Sequence, residues 1–148
     1  MEIRIKSYDE LTKEELYKIL KERTTVFVVE QECPYQEVDN RDQRALHVMG
    51  LEDDSLIAYA RIFRAGDHGP EANIGRVLVV VSHRNKGLGQ EIMKASLDAV
   101  KKRYKTDTVA VSAQRYLEKF YVDLGFQVTG EPYLEDGIPH IKMICTSL

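Results

Sequence analysis

The segment that most constrains the fold is Arg84-Asn85-Lys86-Gly87-Leu88-Gly89, which joins an apolar run, Val77 to Val81, to a stretch with helical periodicity. Glycine adopts left-handed backbone angles at little steric cost, so Gly87 and Gly89 allow a tight turn whose N–H groups face one point. A helix that begins there adds a partial positive charge to the same point. The segment therefore predicts a strand, an anion-binding turn and a helix in succession, with a geometry that fits a pyrophosphate.

The glycines of this segment fit neither of two common nucleotide-binding motifs. A P-loop requires Gly-x-x-x-x-Gly-Lys-Ser/Thr, and the chain contains no such string. A dinucleotide-binding fingerprint requires a third glycine, but Ile92 stands at that position and the preceding strand lies in mid-chain. On spacing alone, an ordinary strand-to-helix turn with glycines for packing stays open as an alternative.

Length and composition predict one domain over residues 1–148, with a core that needs no disulfides. Only two cysteines occur, the N-terminus has no basic and apolar leader, and no apolar run reaches the roughly 18 residues of a membrane span. These features predict a reduced, soluble, cytoplasmic protein without a membrane partner. The 21 basic and 24 acidic side chains give a net charge of −3 without long blocks of either sign, so nucleic acid is not a favoured partner.

The N-terminal half predicts one strand, one helix and a group of strands. Glu2 to Lys6 alternates apolar and charged residues, as a strand does. Thr12 to Glu15 has the pattern of a capping box. In the helix that follows, Leu16, Ile19, Leu20, Arg23 and Phe27 stand at helical spacing, and its end is uncertain because Val26 to Val29 is rich in β-branched residues. Glu32 to Arg44 is polar and predicts a loop.

The strands of the middle and the elements of the C-terminal half follow in order. Ala45 to Leu51 and Leu56 to Phe63 predict a hairpin around Glu52 to Ser55, and Ile74 to Val81 predicts the next strand. The remaining predicted elements are the helix with the stripe Leu88, Ile92, Met93, Leu97 and Val100, the strand Val109 to Val111, the helix Leu117 to Leu124, and the strands Phe126 to Val128 and Ile141 to Cys145, joined by a turn around Gly137 to Pro139. The order β-α-β-β-β-α-β-α-β-β is that of a mixed α/β protein.

Several segments together resemble the GNAT N-acetyltransferases. Arg84 to Gly89 matches the family's acetyl-CoA-binding motif, Gln/Arg-x-x-Gly-x-Gly/Ala, and Phe120 to Phe126 (FYVDLGF) is similar to its "FY..LGF" segment. A finer similarity to the ElaA-like branch rests on Arg23 to Tyr35, His47, Ala58 to Ile62, Ile74 to Val79, Ala113-Gln114 and Glu135 to His140. The resemblance implies the GNAT acyl-CoA N-acyltransferase fold, a central mixed and mostly antiparallel sheet flanked by helices.

The same resemblance implies a reaction and a cosubstrate. A primary amine attacks the thioester of acetyl-CoA directly, without an acyl-enzyme, and a backbone N–H of the strand before the glycine turn, at Val79 or Val80, stabilises the oxyanion. The positions implied to bind acetyl-CoA are Val79, Val80, Val81, Arg84, Asn85, Lys86, Gly87, Leu88, Gly89 and Gln114.

Tyr121 is the candidate acid. The resemblance gives the tyrosine of the "FY" pair the role of proton donor to the departing thiolate, and Tyr121 stands at that position. The alternative is a core aromatic beside Phe120 whose hydroxyl only finds a structural partner.

The base is where this chain departs from the family pattern. Many members carry a glutamate or a water-binding group on the strand before the turn, but Asn73 to Leu78 contains no carboxylate. The candidates are His47, His140, Glu30, Glu32 and Asp39, and each of these could equally be a hydrogen-bonding or solvated side chain with a structural role.

Two functional classes stay open from the sequence. One is an active N-acetyltransferase, and the other is a GNAT-fold protein that binds acetyl-CoA as a sensor or structural ligand without turnover.

Cys33 lies between Glu32 and Pro34, where negative charge disfavours a thiolate, so a structural role is expected. No metal-ligand spacing occurs, so no metal is predicted. The acceptor is not identified, and either a monomer or a homodimer is compatible with the chain.

Overall fold

The computed structural model describes all 148 residues and contains one eight-stranded sheet with three α-helices. The strands are β1 (Glu2–Ser7), β2 (Leu46–Glu52), β3 (Ser55–Phe63), β4 (Ala72–Val79), β5 (Val109–Gln114), β6 (Gln127–Val128), β7 (Tyr133–Glu135) and β8 (Ile138–Cys145). The helices are α1 (Lys13–Thr24), α2 (Leu88–Tyr104) and α3 (Glu118–Asp123). No helix is both long and apolar enough to cross a membrane.

The predicted capping box begins α1. Thr12 Oγ1 accepts from the N–H of Glu15 at 3.1 Å, and the Glu15 carboxylate accepts from the N–H of Thr12 at 2.8 Å. After Thr24 the chain continues as a π-helix over Thr25–Glu30. Its residues include three valines, and the hydroxyls of Thr24 and Thr25 bond back to carbonyls one turn earlier. Both features weaken α-helical geometry, which explains the irregular end.

The sheet has the order β1-β2-β3-β4-β5-β8-β6, with β7 also paired to β8. All neighbours are antiparallel except β4 and β5, which are joined through α2. The predicted order of elements is confirmed, apart from β7, which the sequence did not indicate. The predicted turn around Gly137 to Pro139 lies earlier, at Asp136-Gly137, because both residues have positive φ and Pro139 belongs to β8. Several other boundaries differ by one to three residues; β4 runs from Ala72 to Val79, β5 extends to Gln114 and β8 begins at Ile138.

The two faces of the sheet are covered by different helices. Alternate residues of β3 separate the two cores: Ala58, Ala60 and Ile62 pack with α2, whereas Tyr59 packs with Ile19 of α1. This alternation follows from the two-residue repeat of a strand. The predicted apolar stripe of α2 includes its buried residues Ile92, Met93 and Val100, which confirms that this helix packs on the sheet.

β4 and β5 separate soon after they begin. They pair only at Ala72–Val109 and Asn73–Ala110. Further along β4 a bulge sets two residues, Arg76 and Val77, opposite Ala60 of β3, and Arg76 has a φ of 50°. A bulge bends its strand and increases the local twist. The sheet is therefore open between β4 and β5 at the ends where β4 leads into the glycine turn.

A network of buried charges fixes the loop before β2 against the face of the sheet that carries α1. Arg23, which is fully buried, binds Glu37 at 2.9 Å and Asp42 at 2.6 Å. Arg61 binds Asp42 at 3.0 Å and Asp39 at 2.9 Å, and Arg76 binds Glu37 and Asp39. Three guanidinium groups thus face three carboxylates, which keeps the cluster neutral. Removing one member would leave a buried charge without its partner.

We expect Asp42→Asn to destabilise the fold, because Asp42 is shared by Arg23 and Arg61. The amide oxygen keeps one hydrogen bond, so the loss should lie at the lower end of the roughly 3 to 5 kcal/mol typical of a broken buried pair. The measurement is the free energy of unfolding in urea. Asp98→Asn is the matched control, since its pair with Lys102 is exposed on α2 and should cost less than about 0.5 kcal/mol. Equal losses in both variants would contradict the assignment.

Acid titration offers a second measurement of the same network. Burial raises the pKa of Asp39, but hydrogen bonds from Arg61 and its charge outweigh burial and lower the pKa to about 2. Asp42 is affected in the same way by Arg23 and Arg61, and its pKa is also lowered. Since both folded-state pKa values lie below the unfolded value of about 3.9, the network's contribution is complete above about pH 4 and is lost as the pH falls toward 2. Asp42→Asn should show a weaker loss over this range.

Candidate active site

A cavity of about 810 Å³ occupies the opening between β4 and β5. β4 supplies one wall through Ile74 to Val79, and the end of the π-helix, α3 and the β7–β8 hairpin supply the others. The glycine turn lies at one end, where His83 to Gln90 contribute lining residues. The opening is thus continuous from the predicted anion-binding turn to the ends of β5 and β8.

The glycine turn presents a row of free backbone donors. None of the N–H groups from Asn85 to Gln90 has a hydrogen-bond partner within the protein, and the first intrahelical bond of α2 is made by Glu91, whose N–H donates to Gly87 at 3.2 Å. Gly87 caps α2 with a φ of 79° and Asn85 has a φ of 66°. Unpaired amides at a helix N-terminus form a suitable binding surface for phosphate oxygens.

The two glycines of this turn have different roles. A Cβ on Gly87 would meet no atom within 4 Å, so the positive φ is what requires glycine at this position. A Cβ on Gly89 would lie 3.5 Å from the ring of Phe120, which records the close approach of α2 to α3. Gly87 therefore shapes the turn, and Gly89 sets the packing beside the cavity.

Arg84 is engaged within the protein, whereas Lys86 is not. The Arg84 Nε donates to the carbonyl of Val79 at 2.8 Å, and Nη2 donates to the Glu30 carboxylate at 2.8 Å. The guanidinium thus links the turn to the end of β4 and to the π-helix, rather than lying free to meet a ligand. Lys86 is exposed, has no ion pair and does not line the cavity wall.

Of the predicted backbone donors on β4, Val79 is the one directed toward the opening. Val80 N–H donates to the carbonyl of Ile57 at 2.9 Å, so it is not available to an oxyanion. This bond also makes Val79–Ala58 a pair without mutual hydrogen bonds, so the N–H and C=O of Val79 face away from β3. Val81 lies beyond the strand with its side chain exposed, and neither it nor Val80 lines the cavity.

Tyr121 lies on α3 with its ring buried against Phe120 and Phe126 in edge-to-face contacts. The side chain lines the cavity, and its hydroxyl has no partner in the protein. Among the fully buried side-chain nitrogen and oxygen atoms, only Arg61 Nε lacks a hydrogen-bond partner. The unpartnered Tyr121 hydroxyl is therefore not fully buried, and it is accessible from the cavity. Burial raises the pKa of Tyr121 to about 12, so the phenol is neutral and able to donate a proton near pH 7.

His140 reaches the cavity from β8. Its Nδ1 donates to the carbonyl of Ile138 at 2.6 Å, which fixes the proton on that nitrogen. Nε2 lies 3.3 Å from the Glu135 carboxylate, and Tyr133 stacks on the ring. Nε2 is therefore the ring nitrogen that is not bonded to the main chain, and it lies beside the Glu135 carboxylate.

His47 does not lie in the cavity. It is fully buried on β2, where Tyr59 donates to Nδ1 at 2.6 Å and Nε2 donates to the carbonyl of Asp42 at 2.9 Å. Burial lowers its pKa, so the ring is neutral and both nitrogens are used in structural bonds. The prediction of His47 as a candidate base is therefore corrected, because it belongs to the charge network behind the sheet.

The other predicted site residues also differ in whether they reach the cavity. Asp39 is held by Arg61 in the network, and Glu30 is paired with Arg84. Glu32 is exposed and unpaired beside the cavity. Gln114 lines the cavity at the end of β5 and donates to Gln31 at 3.4 Å. The Cys33 thiol donates to the carbonyl of Asp136 at 3.3 Å, which joins the loop after the π-helix to the β7–β8 hairpin.

Sequence reasoning did not assign roles to several lining residues. Phe27, Tyr35 and Arg76 face the cavity, and the Arg76 guanidinium lies 5.7 Å from the ring centre of Tyr35. Their segments carried the family resemblance; Phe27 lies in the π-helix, Tyr35 in the loop after it and Arg76 at the β4 bulge. No group of three or more His, Cys, Asp or Glu side chains is placed to hold a metal ion.

A sheet open between two parallel strands, with free amides at the helix N-terminus beside the opening, defines an acyl-CoA N-acyltransferase fold. A model of the acetyltransferase (GNAT) domain matches residues 8–147, and the chain belongs to this family. It is similar to Protein ElaA of Escherichia coli strain K12, with 41% identity over 138 residues that cover 92% of this chain and 90% of that protein.

Solved structures agree with this assignment. The crystal structure of an acyl-CoA N-acyltransferase from Pseudomonas aeruginosa superposes with a TM-score of 0.93 at 41% identity, covering 97% of this chain and 98% of that one. The crystal structure of Escherichia coli ElaA gives a TM-score of 0.92 at 37% identity, covering 98% and 99%. The predicted GNAT fold and the similarity to the ElaA-like branch are both confirmed.

We expect Gly87→Val to remove most of the affinity for an acyl-CoA. A β-branched residue cannot adopt the φ of 79° without strain, so the amides of the turn would no longer face one point. Loss of two charge-assisted hydrogen bonds, each worth roughly 1.5 to 3 kcal/mol, would weaken binding by about a hundredfold or more. Titration calorimetry with acetyl-CoA measures this change.

Gly66→Val is the matched control. Gly66 has a φ of 94° and open space around its Cβ position, but it lies in the loop after β3 and does not line the cavity. It carries the same kind of backbone strain without touching the glycine turn. Equal affinity for acetyl-CoA in wild type and Gly87→Val, or an equal loss in both variants, would rule out the turn as the binding site.

Proposed function

We propose that this protein is an N-acetyltransferase that moves the acetyl group of acetyl-CoA to a primary amine by direct attack. The observation that carries this proposal is the single cavity with free amides at one end and both Tyr121 and His140 along its walls. An acyl donor held at the turn and an amine entering past β8 would meet in that space.

The donor side follows from the geometry of β4 and the turn. The amides of Asn85 to Gln90 are suited to the pyrophosphate of acetyl-CoA, and Lys86 adds a mobile positive charge nearby. The open edge of β4 offers main-chain groups to the extended arm of the cosubstrate. The Val79 N–H then donates to the thioester oxygen, and it stabilises the negative charge that develops there.

The acceptor must lose a proton before it can attack. An alkyl amine with a pKa near 10.4 is mostly protonated at pH 7, and deprotonation costs roughly 4 to 5 kcal/mol. His140 Nε2 is the group in the cavity that accepts this proton, with Glu135 at 3.3 Å stabilising the charged ring. As the carbon–sulfur bond breaks, Tyr121 donates its proton to the departing thiolate, and the resulting phenolate takes up the proton that the nitrogen of the tetrahedral intermediate must lose to become an amide.

The alternative is an acetyl-CoA-binding protein without turnover. One observation favours it: β4 has no carboxylate facing the opening, and Glu30 is committed to Arg84. A screen of primary amines with acetyl-CoA, followed by release of free thiol, separates the two functions. Tight binding of acetyl-CoA without thiol release on any amine would favour the alternative.

Replacement of Tyr121 by phenylalanine isolates the hydroxyl, because the ring and its contacts with Phe120 and Phe126 are retained. Acetyl-CoA affinity should stay nearly unchanged and kcat should fall by about 10 to 100-fold, the low end for a positioned acid, since a thiolate is already a fair leaving group. The loss should shrink with a thioester of a more acidic thiol. Tyr104→Phe, outside the cavity on α2, serves as control. Full activity in Tyr121→Phe would return this residue to a packing role.

His140→Gln should change the pH profile rather than only the rate. In the wild type, kcat/KM falls on the acid side both because the acceptor is protonated and because Nε2 of His140 is protonated. The variant should keep only the acceptor's dependence and therefore show a shallower acid limb. His68→Gln, outside the cavity, is the control. Identical acid limbs in wild type and His140→Gln would show that desolvation of the amine, without this base, is sufficient.

A further inference from the structure

A hydrogen bond beside the cavity joins two side chains that are not among the predicted site residues. Tyr133 on β7 and Ser112 on β5 are bonded through their hydroxyls, although β7 and β5 are not neighbours in the sheet. β8 lies between them, because it pairs with β5 along one edge and with β7 along the other. The Tyr133 side chain therefore crosses β8 to reach its partner.

His140 lies beneath this crossing. In the register of the sheet, His140 is opposite Tyr133 of β7 and opposite Gln114 of β5. Opposite residues of adjacent strands direct their side chains to the same face, and Ser112, two residues before Gln114, shares that face. The Tyr133 ring stacks on the His140 ring, with 6.2 Å between the ring centroids and 22° between the ring planes. The crossing side chain thus covers the imidazole.

Tyr133 contacts His140 from outside the cavity. His140 and Ser112 line the cavity, whereas Tyr133 does not. Tyr133 keeps 39% of its surface exposed, but His140 keeps only 6%. The imidazole therefore lies between the tyrosine ring and the cavity, and the tyrosine limits its movement away from the cavity.

The other contacts of the imidazole lie within its own hairpin. Nδ1 donates to the carbonyl of Ile138 on β8, and Nε2 lies beside Glu135 on β7. β7 has only three residues and all of them are exposed, so packing alone holds this strand weakly. Through Ser112, the Tyr133 hydroxyl attaches β7 to β5, which forms part of the cavity wall.

We propose that Tyr133 and Ser112 are positioning residues for proton transfer by His140. The inference rests on the proposed acetyltransferase function and adds two residues to it. The hydroxyl bond holds the tyrosine ring against the imidazole, and the ring keeps Nε2 at the cavity. A general base must lie within hydrogen-bond reach of the proton that it takes, so a displaced imidazole lowers the rate even though its nitrogens are still present.

A direct contact between Ser112 and the acceptor is the competing role. Ser112 lines the cavity, and a hydroxyl is able to bond an amine. Its hydroxyl is, however, already paired with that of Tyr133. Loss of a contact with the acceptor would mainly raise KM for the amine, whereas loss of positioning mainly lowers kcat. The two roles therefore differ in their kinetics.

The kinetic experiment uses Tyr133→Phe and Ser112→Ala, which remove the hydroxyl bond from either side. With acetyl-CoA and the primary amine that releases thiol fastest in the amine screen, each variant should lose about three- to tenfold in kcat, as expected for one neutral hydrogen bond. KM for both substrates should change little. The double variant should lose no more than either single variant, because the same bond is removed in all three.

Two further variants serve as controls for this comparison. Ser112→Thr keeps a hydroxyl in a residue that suits a strand, and it should retain the wild-type kcat. Tyr17→Phe removes the hydroxyl of an exposed tyrosine on α1 that does not line the cavity, and it should have no effect.

Coupling to His140 separates positioning from a general effect on the fold. In the His140→Gln background, Tyr133→Phe should cause no further loss of kcat, because the group that it positions is already absent. An equal further loss in that background would overturn the proposal. So would wild-type kcat in both single variants, additive losses in the double variant, or an effect confined to KM for the amine.

Nuclear magnetic resonance of the ligand-free protein separates failure of this proposal from failure of the proposed function. Among the four histidines, the ring signals of His140 are those missing from His140→Gln. Tyr133→Leu removes the stacked ring and its ring-current shift. The His140 signals should move toward their Tyr133→Leu positions in Tyr133→Phe and Ser112→Ala, but not in Tyr17→Phe. If no amine is acetylated, the proposed function fails, and unchanged His140 signals in both variants would refute the positioning role.

Discussion

β4 and β5 remain paired over only two residue pairs, and this early separation is the constraint on which the site depends. Main-chain groups that would bond between neighbouring strands are left facing a cavity, and such groups require other partners. The Val79 carbonyl finds one in Arg84, while its N–H faces the opening. The bulge at Arg76 bends β4 where the strands separate, so backbone geometry and cavity have a common origin.

The charge network fixes the loop before β2 to this open sheet. The loop between the π-helix and β2 buries little apolar surface, and Arg23, Arg61 and Arg76 hold it through carboxylates instead. Each guanidinium comes from a different element, so the network also ties α1 and β3 to the bulged strand. A wall of the cavity thus depends on ion pairs of which Arg76 alone lines the cavity.

Local signals in the sequence predicted the local elements well. The capping box at Thr12, the apolar stripe on α2 and the glycine turn each depend only on residues that lie close together in the sequence. The two histidines show the limit, since His47 stands within a predicted strand and His140 directly before one. Only the sheet places His47 beside Tyr59 and Asp42 and His140 beside Glu135. The network escaped prediction for the same reason, because its members meet only through tertiary structure.

Charged side chains without an ion-pair partner have opposite signs at the two ends of the cavity. Ion pairs neutralise the charges of Arg76, Arg84 and Glu30. The side chains that keep an unpaired charge are Lys86 near the amides of the turn, and Glu32 and Asp136 at the other end. Because Glu135, Asp136 and His140 share one hairpin, a displacement of its tip would move these three side chains together. Cys33 joins that tip to the loop after the π-helix through one hydrogen bond.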